Sequence, residues 1–362
     1  MEAGAEEPLK GRVLSPYPLH SARVNPSLDR KPAKGRLAVL VLKEKGGENM
    51  AQASIELGPS APSGPSLRPR QRRSPYAVPA SVAMSPGIVA YVLFSIVPAL
   101  GTFLISMTNY SGIPGLPVQF VGLANFANMI QNAAGGFLPS LVTTIIFAAS
   151  VTILQNVAAL ALAVLLRNRF PLVGVLRSLI FLPAALGVTI NGILWLLIFT
   201  PNSGPASGLL ALFHHSSAFF GSPTVALPLV IFVQIWANVG FTSLIYLASM
   251  DSIPTDYFDA GRMDGAGRWS LFSHVTYPLL SNAMTVNILL AAVGSMNVYD
   301  IIYVLTDGSN GTMTLGMYMF NTSFVGSGDM GLGAAVSVAM FLLTLAVALP
   351  LQWILRRREV SV

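Results

Sequence analysis

The residues able to do chemistry in this chain fall into four groups. Asp256, Asp259, Arg262, Asp264 and Arg268 crowd together with Gly261, Gly265 and Gly267 between two long apolar runs. Acids, bases and glycines at that density suit a charged turn between two short helices. The second group is amide and aromatic: Gln155, Asn156, Asn191, Trp195, Gln234, Trp236, Asn238, Asn287, Asn297 and Tyr299 all lie within apolar runs. Carboxamides and ring faces are what a hydroxylated small molecule needs, although many polar residues in such runs make helix–helix contacts instead. The third group is histidine: His214 and His215 adjoin, and His274 stands alone. Adjacent residues of a helix do not share a face, and no carboxylate helps, so they read as ordinary polar loop residues. The fourth is Asp300, the only charge inside any apolar run. ATP hydrolysis would need G-x-x-x-x-G-K-[ST], and no lysine follows Lys45. The apolar region therefore holds no such loop.

The elements that position these groups follow from composition. Only 10% of residues are charged and 53% are hydrophobic, with a mean hydropathy of +0.64. A soluble domain carries about 25% charged residues. Six apolar runs account for the difference: Val82–Met107, Leu138–Leu166, Ser178–Phe199, Thr224–Met250, Asn282–Leu305 and Met330–Leu355. A spanning helix needs roughly 20 such residues, so the expectation is an all-α polytopic membrane protein with six transmembrane helices in the lipid bilayer. Pro86, Pro98 and Pro183 imply bends, whose freed backbone groups neighbouring helices satisfy. The chain has no cysteine, which excludes disulfides and cysteine metal sites. Its net charge is +6, and the arginines sit at run ends, which does not point to nucleic acid.

Arg68, Arg70, Arg72 and Arg73 precede the first run; Arg167, Arg169 and Arg177 separate the second and third; Arg262 and Arg268 separate the fourth and fifth; Arg356, Arg357 and Arg358 follow the sixth. The connections 108–137, 200–223 and 306–329 contain no Lys or Arg. The positive-inside rule then makes both termini and the loop at 259–278 cytoplasmic.

Within that loop, Pro254 suits the first position of a short helix, and Asp256 and Asp259 suit its positive N-terminus. Gly265 allows a turn that most residues resist, and a second short helix can run from Gly267 toward Pro278. Asp259, Ala260 and Gly261, followed at the right spacing by Gly265, Val275, Tyr277 and Pro278, resemble the EAA loop of binding-protein-dependent ABC importer permeases. The departures are Asp for Glu, Gly for Ala and Tyr for Leu. Gly261 inside a helix costs about 1 kcal/mol against Ala. Phe120-Val121-Gly122-Leu123-Ala124-Asn125-Phe126 is similar to the FVGLxNF segment of the sugar-importer permeases, and Thr144, Ile145 and Phe147 resemble the start of their next span. Tyr299-Asp300-Ile301-Ile302-Tyr303-Val304-Leu305-Thr306, with Gly308, resembles their F-D-x-I-Y-x-L-T-x-G segment. The likeness covers roughly residues 82–355 and favours the maltose-type first permease of the pair.

The resemblance implies a type I ABC importer permease fold with a cytoplasmic EAA coupling loop, carrying Asp259, Ala260, Gly261, Asp264, Gly265, Ala266 and Pro278. It implies a multi-pass protein of the bacterial inner membrane that works with a second permease as a heterodimer, two ATP-binding subunits and an extracytoplasmic binding protein. This chain would be a transport subunit rather than an enzyme and bind no cofactor or metal, with ATP and magnesium used by the partner ATPase. The expected cargo is a neutral sugar, with Asn238, Asn287 and Asn297 favoured on its path. The runs contain no Arg or Lys, which argues against an anionic substrate; a polyol or glycerol-phosphate type is the alternative. An ion-coupled secondary transporter would need ionisable residues in the membrane interior. Asp300 is the only candidate and stands about 8 Å from the outer edge at ~1.5 Å per residue, which reads as a near-surface anchor.

Three stretches divide the chain: 1–49, 50–80 and the six-span domain at 81–358. Residues 1–49 hold nine Lys and Arg with prolines and show no sustained period. Lys45-Gly46-Gly47-Glu48-Asn49 would be encoded by purine-rich codons able to spell a ribosome-binding site before Met50, so this stretch reads either as an artefact of the gene boundary or as a disordered tail. Residues 51–77, rich in Pro, Ser and Ala, read as a disordered cytoplasmic lead-in.

Overall fold

In the computed structural model the described residues are 80–131, 136–167, 171–325 and 328–359; the Met50 start and the Pro-rich lead-in lie outside them. Apolar runs become helices because lipid offers the backbone no hydrogen bonds, so each segment must satisfy its own. The chain enters through α1 (Ala80–Tyr91), which passes through a π-helical turn at Val92–Ile96 into α2 (Val97–Ile105). That turn lies just before Pro98, whose missing N–H removes one helical hydrogen bond; the expected bend is a local rewinding. An outer segment then folds back. Thr108 and Phe120 form an antiparallel bridge, and the amides of Val121 and Gly122 donate to Met107 O at 2.8 and 3.1 Å. Asn125, in α3 (Ala124–Gln131), is buried and donates through Nδ2 to Ser106 O (2.9 Å) and Thr108 O (2.8 Å). The FVGLANF segment is thus a staple on carbonyls at the C-terminal end of α2.

The helices α4 (Phe137–Arg167) and α8 (Ala226–Asp251) run unbroken and pack along one another. Between them come α5 (Val173–Ala185), α6 (Val188–Ile198) and the short α7 (Pro205–Ala211). The third apolar run is therefore not one bent helix. It breaks at Leu186 and Gly187, both extended, with a 104° change of direction. Asn191 explains how the break survives: its Nδ2 donates to Leu186 O (3.3 Å), in the gap between α5 and α6, and to Pro183 O (2.9 Å), which also accepts from the Leu186 amide (3.2 Å).

After α8 come α9 (Thr255–Met263), α10 (Arg268–Leu271), a π-helical turn at Phe272–Thr276 and α11 (Tyr277–Leu279). A 67° bend leads into α12 (Ser281–Met296). The fifth apolar run also breaks: α12 ends at Met296, and the rest of the run is a separate helix, α13 (Asp300–Thr306). Thr314 Oγ1 bonds Val298 O in that gap at 2.9 Å and also caps α14 (Leu315–Phe320). The long α15 (Met330–Arg356) closes the chain. Among the described residues, four helices are long and apolar enough to cross a membrane, and six crossings result if each bent pair is one span.

Two apolar clusters hold the bundle. One joins Phe147 and Val151 of α4 to Val230 and Val233 of α8 and Ile301 and Ile302 of α13. The other joins Ala159 and Ala163 of α4 to Tyr246 and Met250 of α8 and Ala283 of α12. Between them, along α4 and α8, lies a layer of side-chain amides and hydroxyls.

Candidate functional site

That polar layer is tied across helices. Gln155 Nε2 of α4 donates to Thr242 Oγ1 of α8 at 2.8 Å, and Tyr246 Oη of α8 donates to Asn156 Oδ1 of α4 at 2.7 Å. Asn287 of α12 is 2% exposed and donates to Thr242 O at 3.2 Å. A buried amide left unpaired would cost about 1–3 kcal/mol, so these bonds fix three helices around one level of the bundle. Two cavities open there. The larger, about 390 Å³, is lined by Asn191, Gln234, Asn238, Asn297, Tyr299 and Asp300 among others. The smaller, about 210 Å³, includes Gln155, Thr242 and Asn287, and Gln234, Asn238, Phe241 and Gly294 belong to both. The larger is of the size of small-molecule sites. Its breaks matter: irregular backbone at membrane depth is tolerated where it lines a cavity, and both the α5–α6 and α12–α13 interruptions border this one.

The structure brings Asn238, Asn287 and Asn297 to these cavities, in different states. Asn238 and Asn297 each donate Nδ2 to the carbonyl four residues earlier, Gln234 O (2.9 Å) and Val293 O (2.7 Å). Their side-chain oxygens accept no hydrogen bond among the described residues and remain acceptors at the cavity wall. Asn287 is committed to the cross-helix bond. Trp195 and Trp236 instead meet edge to face, centroids 5.2 Å apart, in an aromatic packing with Phe199 and Phe232. Sequence reasoning missed Phe241 and Thr242. With Gln234 and Asn238 they repeat at helical spacing, a stripe visible in the sequence had the amides been projected onto one helix. Asp300, expected as a near-surface anchor, stands at the start of α13. The break after α12 brings it to the wall of the larger cavity.

The loop at 254–279 is built differently. Pro254 is extended (ψ 140°) and stands just before α9 rather than as its first residue. The helix ends in a Schellman turn: Ala266 N donates to Gly261 O (2.9 Å) and Gly265 N to Arg262 O (3.0 Å). Gly265 has φ +79°, the left-handed conformation glycine adopts freely. The departure at Gly261 has a local reason, because a Cβ there would stand 2.6 Å from Leu271 Cδ2 of α10. The missing methyl lets the two short helices close on each other. Phe258 is buried, with the Arg167 guanidinium of α4 4.7 Å from its ring centroid. Met263 and Trp269 turn outward, 89% and 77% exposed. Asp259 bonds Arg262 at 2.8 Å on the open surface. Of the other expected loop residues, Ala260 O accepts from Asp264 N at 3.1 Å, and Pro278 lies in α11.

Residues 155–360 match the family described as binding-protein-dependent transport system inner membrane component. The trehalose/maltose transport system permease protein MalF of Thermococcus litoralis is 31% identical over 263 residues, covering 72% of this chain and 88% of that protein. The probable starch degradation products transport system permease protein AmyD of Thermoanaerobacterium thermosulfurigenes is 29% identical, covering 77% and 94%. The fold is similar to a chain of a bacterial alginate ABC transporter solved with an alginate pentasaccharide-bound periplasmic protein, with TM-score 0.69, 19% identity, and 78% of this chain and 96% of that one covered. A family match over more than half of the chain, with a relative matched along most of its length, makes this protein a member of the binding-protein-dependent transport system inner membrane component family, a multi-pass ABC transporter permease.

Proposed function

We propose that this chain is the sugar-conducting permease of an ATP-driven importer. The observation that carries the reading is the amide-lined pair of cavities between two apolar clusters, at the level where both interrupted helices break. Carboxamide acceptors beside Phe241 and Tyr299 suit hydroxyls and the apolar faces of sugar rings. Relatives named for trehalose/maltose and starch products support the cargo class. Asn238 and Asn297 are the substrate contacts in this reading, and Asn287 holds the wall behind them.

The loop carrying Asp259, Ala260, Gly261, Asp264, Gly265, Ala266 and Pro278 is the docking element for one of two ATP-binding subunits, which supply ATP and magnesium. Its turn is closed by main-chain hydrogen bonds and its apolar tips, Met263 and Trp269, are exposed, which suits a docking element. The arginine distribution supports a cytoplasmic position for this loop and both termini. The remaining partners are a second permease, forming a heterodimer, and an extracytoplasmic binding protein; a periplasmic partner of that kind is named for the alginate transporter. The test is reconstitution of the permease pair with its ATPase subunits and binding protein in vesicles. Uptake of a neutral oligosaccharide should require both ATP and the binding protein. Uptake driven by an ion gradient without ATP would overturn the proposal.

A further inference from the structure

We propose that Asp300 sets the substrate charge: its carboxylate accepts hydrogen bonds from neighbouring hydroxyls of a neutral saccharide and repels sugars bearing a carboxylate or phosphate. The inference rests on the reading of the larger cavity as the sugar path.

The break between α12 and α13 creates the position. Had the fifth apolar run stayed one helix, Asp300 would be one more residue on its surface. Tyr299 leaves helical geometry (φ −140°, ψ −34°), and α13 restarts at Asp300, so both residues reach the cavity wall. One carboxylate oxygen, Oδ1, accepts from the Ile301 amide at 2.8 Å, which orients the group. The other accepts no hydrogen bond among the described residues. No Lys or Arg lines this cavity, and the ion pair among the described residues, Arg262 with Asp259, belongs to the loop. The described arginines lie at or beside α4, α5, α9, α10 and α15, and none is among the residues that line this cavity. The charge of Asp300 therefore meets the cargo without a neighbouring cation to offset it. Its polar neighbours on the wall, Gln234, Asn238 and Asn297, are neutral. A carboxylate oxygen accepts hydroxyl hydrogens in short, charge-assisted bonds. An anionic cargo brought to the same place meets like charge and is repelled. The Tyr299 ring, stacked on Phe320 with centroids 5.3 Å apart, offers an apolar face beside the acceptor.

The binding protein selects cargo first, so the measurement is made without it. Ligand-observed NMR on the assembled permease–ATPase complex in nanodiscs would follow a panel of neutral disaccharides, trehalose and maltose included, against trehalose 6-phosphate and a glucuronate-bearing disaccharide. The wild-type complex should bind a neutral probe and neither anion. Asp300→Asn keeps an oxygen for the Ile301 amide, so α13 stays capped while the charge is lost. This variant should bind the neutral probe about tenfold more weakly and begin to bind the anions. Asp300→Glu, which restores the charge, should reject the anions again. Anion binding by the wild type, or an Asp300→Asn variant with unchanged affinity and unchanged rejection, would leave Asp300 as a helix cap alone and overturn the assignment. If no sugar of either class binds the wild type, the cavity is not the sugar path, and the role of Asp300 falls with it.

Discussion

At the 254–279 loop the backbone makes the shape and the side chains face outward; at the membrane cavities the side chains make the shape and the backbone is interrupted around them. The loop turn is closed by main-chain bonds from Gly265 and Ala266, and its apolar tips, Met263 and Trp269, lie almost fully in the open. The cavity wall depends on amide bonds between helices, such as Gln155 to Thr242 and Asn287 to Thr242 O. Asn191 plugs the carbonyls at one break. Water can replace a lost bond at the loop, but lipid cannot at the cavity. A backbone change should therefore damage the loop most, and a side-chain change should damage the cavity most.

The largest effect is expected at the loop. Gly265→Asp forces an L-residue to φ +79°, at about 1–2 kcal/mol of strain, and Asp259→Lys sets a cation against Arg262 and against the N-terminal half of α9. In vesicles holding the whole complex, each should lower sugar uptake by at least about tenfold, a loss of about 1.4 kcal/mol in coupling. Membrane insertion and the turnover of the isolated ATPase should stay normal. Wild-type uptake and wild-type substrate-stimulated ATPase activity in both variants would remove the loop from the coupling role.

A smaller loss is expected at the cavity, and it separates Asn238 from Asn287. Asn238→Ala removes an amide bonded only within its own helix, so uptake should fall roughly three- to tenfold, the worth of one hydrogen bond of about 0.5–1.5 kcal/mol, with little change in thermal midpoint. Asn287→Ala removes a buried cross-helix bond and should lower the thermal midpoint of the purified complex by several degrees, for about 1–3 kcal/mol of lost satisfaction. Equal midpoints for the two variants would mean that the amide layer does not hold the helices.

The smallest effect belongs to Arg262→Ala. The ion pair it removes is about two-thirds exposed on both sides, and such pairs contribute about 0–1 kcal/mol. Stability of the purified permease should move by no more than about 0.5 kcal/mol. A drop of many degrees in the thermal midpoint would mean that the side-chain pair, and not the main-chain turn, holds the loop.

Much of the loop was legible in advance because its signals are local. The positive φ of Gly265 and the two short helices follow from glycine, proline and charge within a few residues of one another. Gly261 was legible only as a cost; its reason, Leu271 of the neighbouring helix, is a contact and not a propensity. The cavity-wall position of Asp300 was not legible for a related reason: Asn297, Tyr299 and Asp300 are a polar dip in the run, but a dip alone does not say whether the helix continues through it.

The sequence by itself determined that this is a membrane protein of apolar helices, where its arginines gather, and which residue types face the hydrocarbon region. Those properties sum over neighbours along the chain, and lipid enforces them segment by segment. Tertiary structure alone decided that two of the runs are interrupted, that both interruptions border one cavity, and that the amides of α4, α8 and α12 meet at one level between two apolar clusters. A helix break inside a membrane is stable only if some other group satisfies the freed carbonyls. For α5 that group is Asn191, which reaches Leu186 O and joins the Leu186 amide at Pro183 O, and its reach back across a 104° bend exists only once the chain has folded.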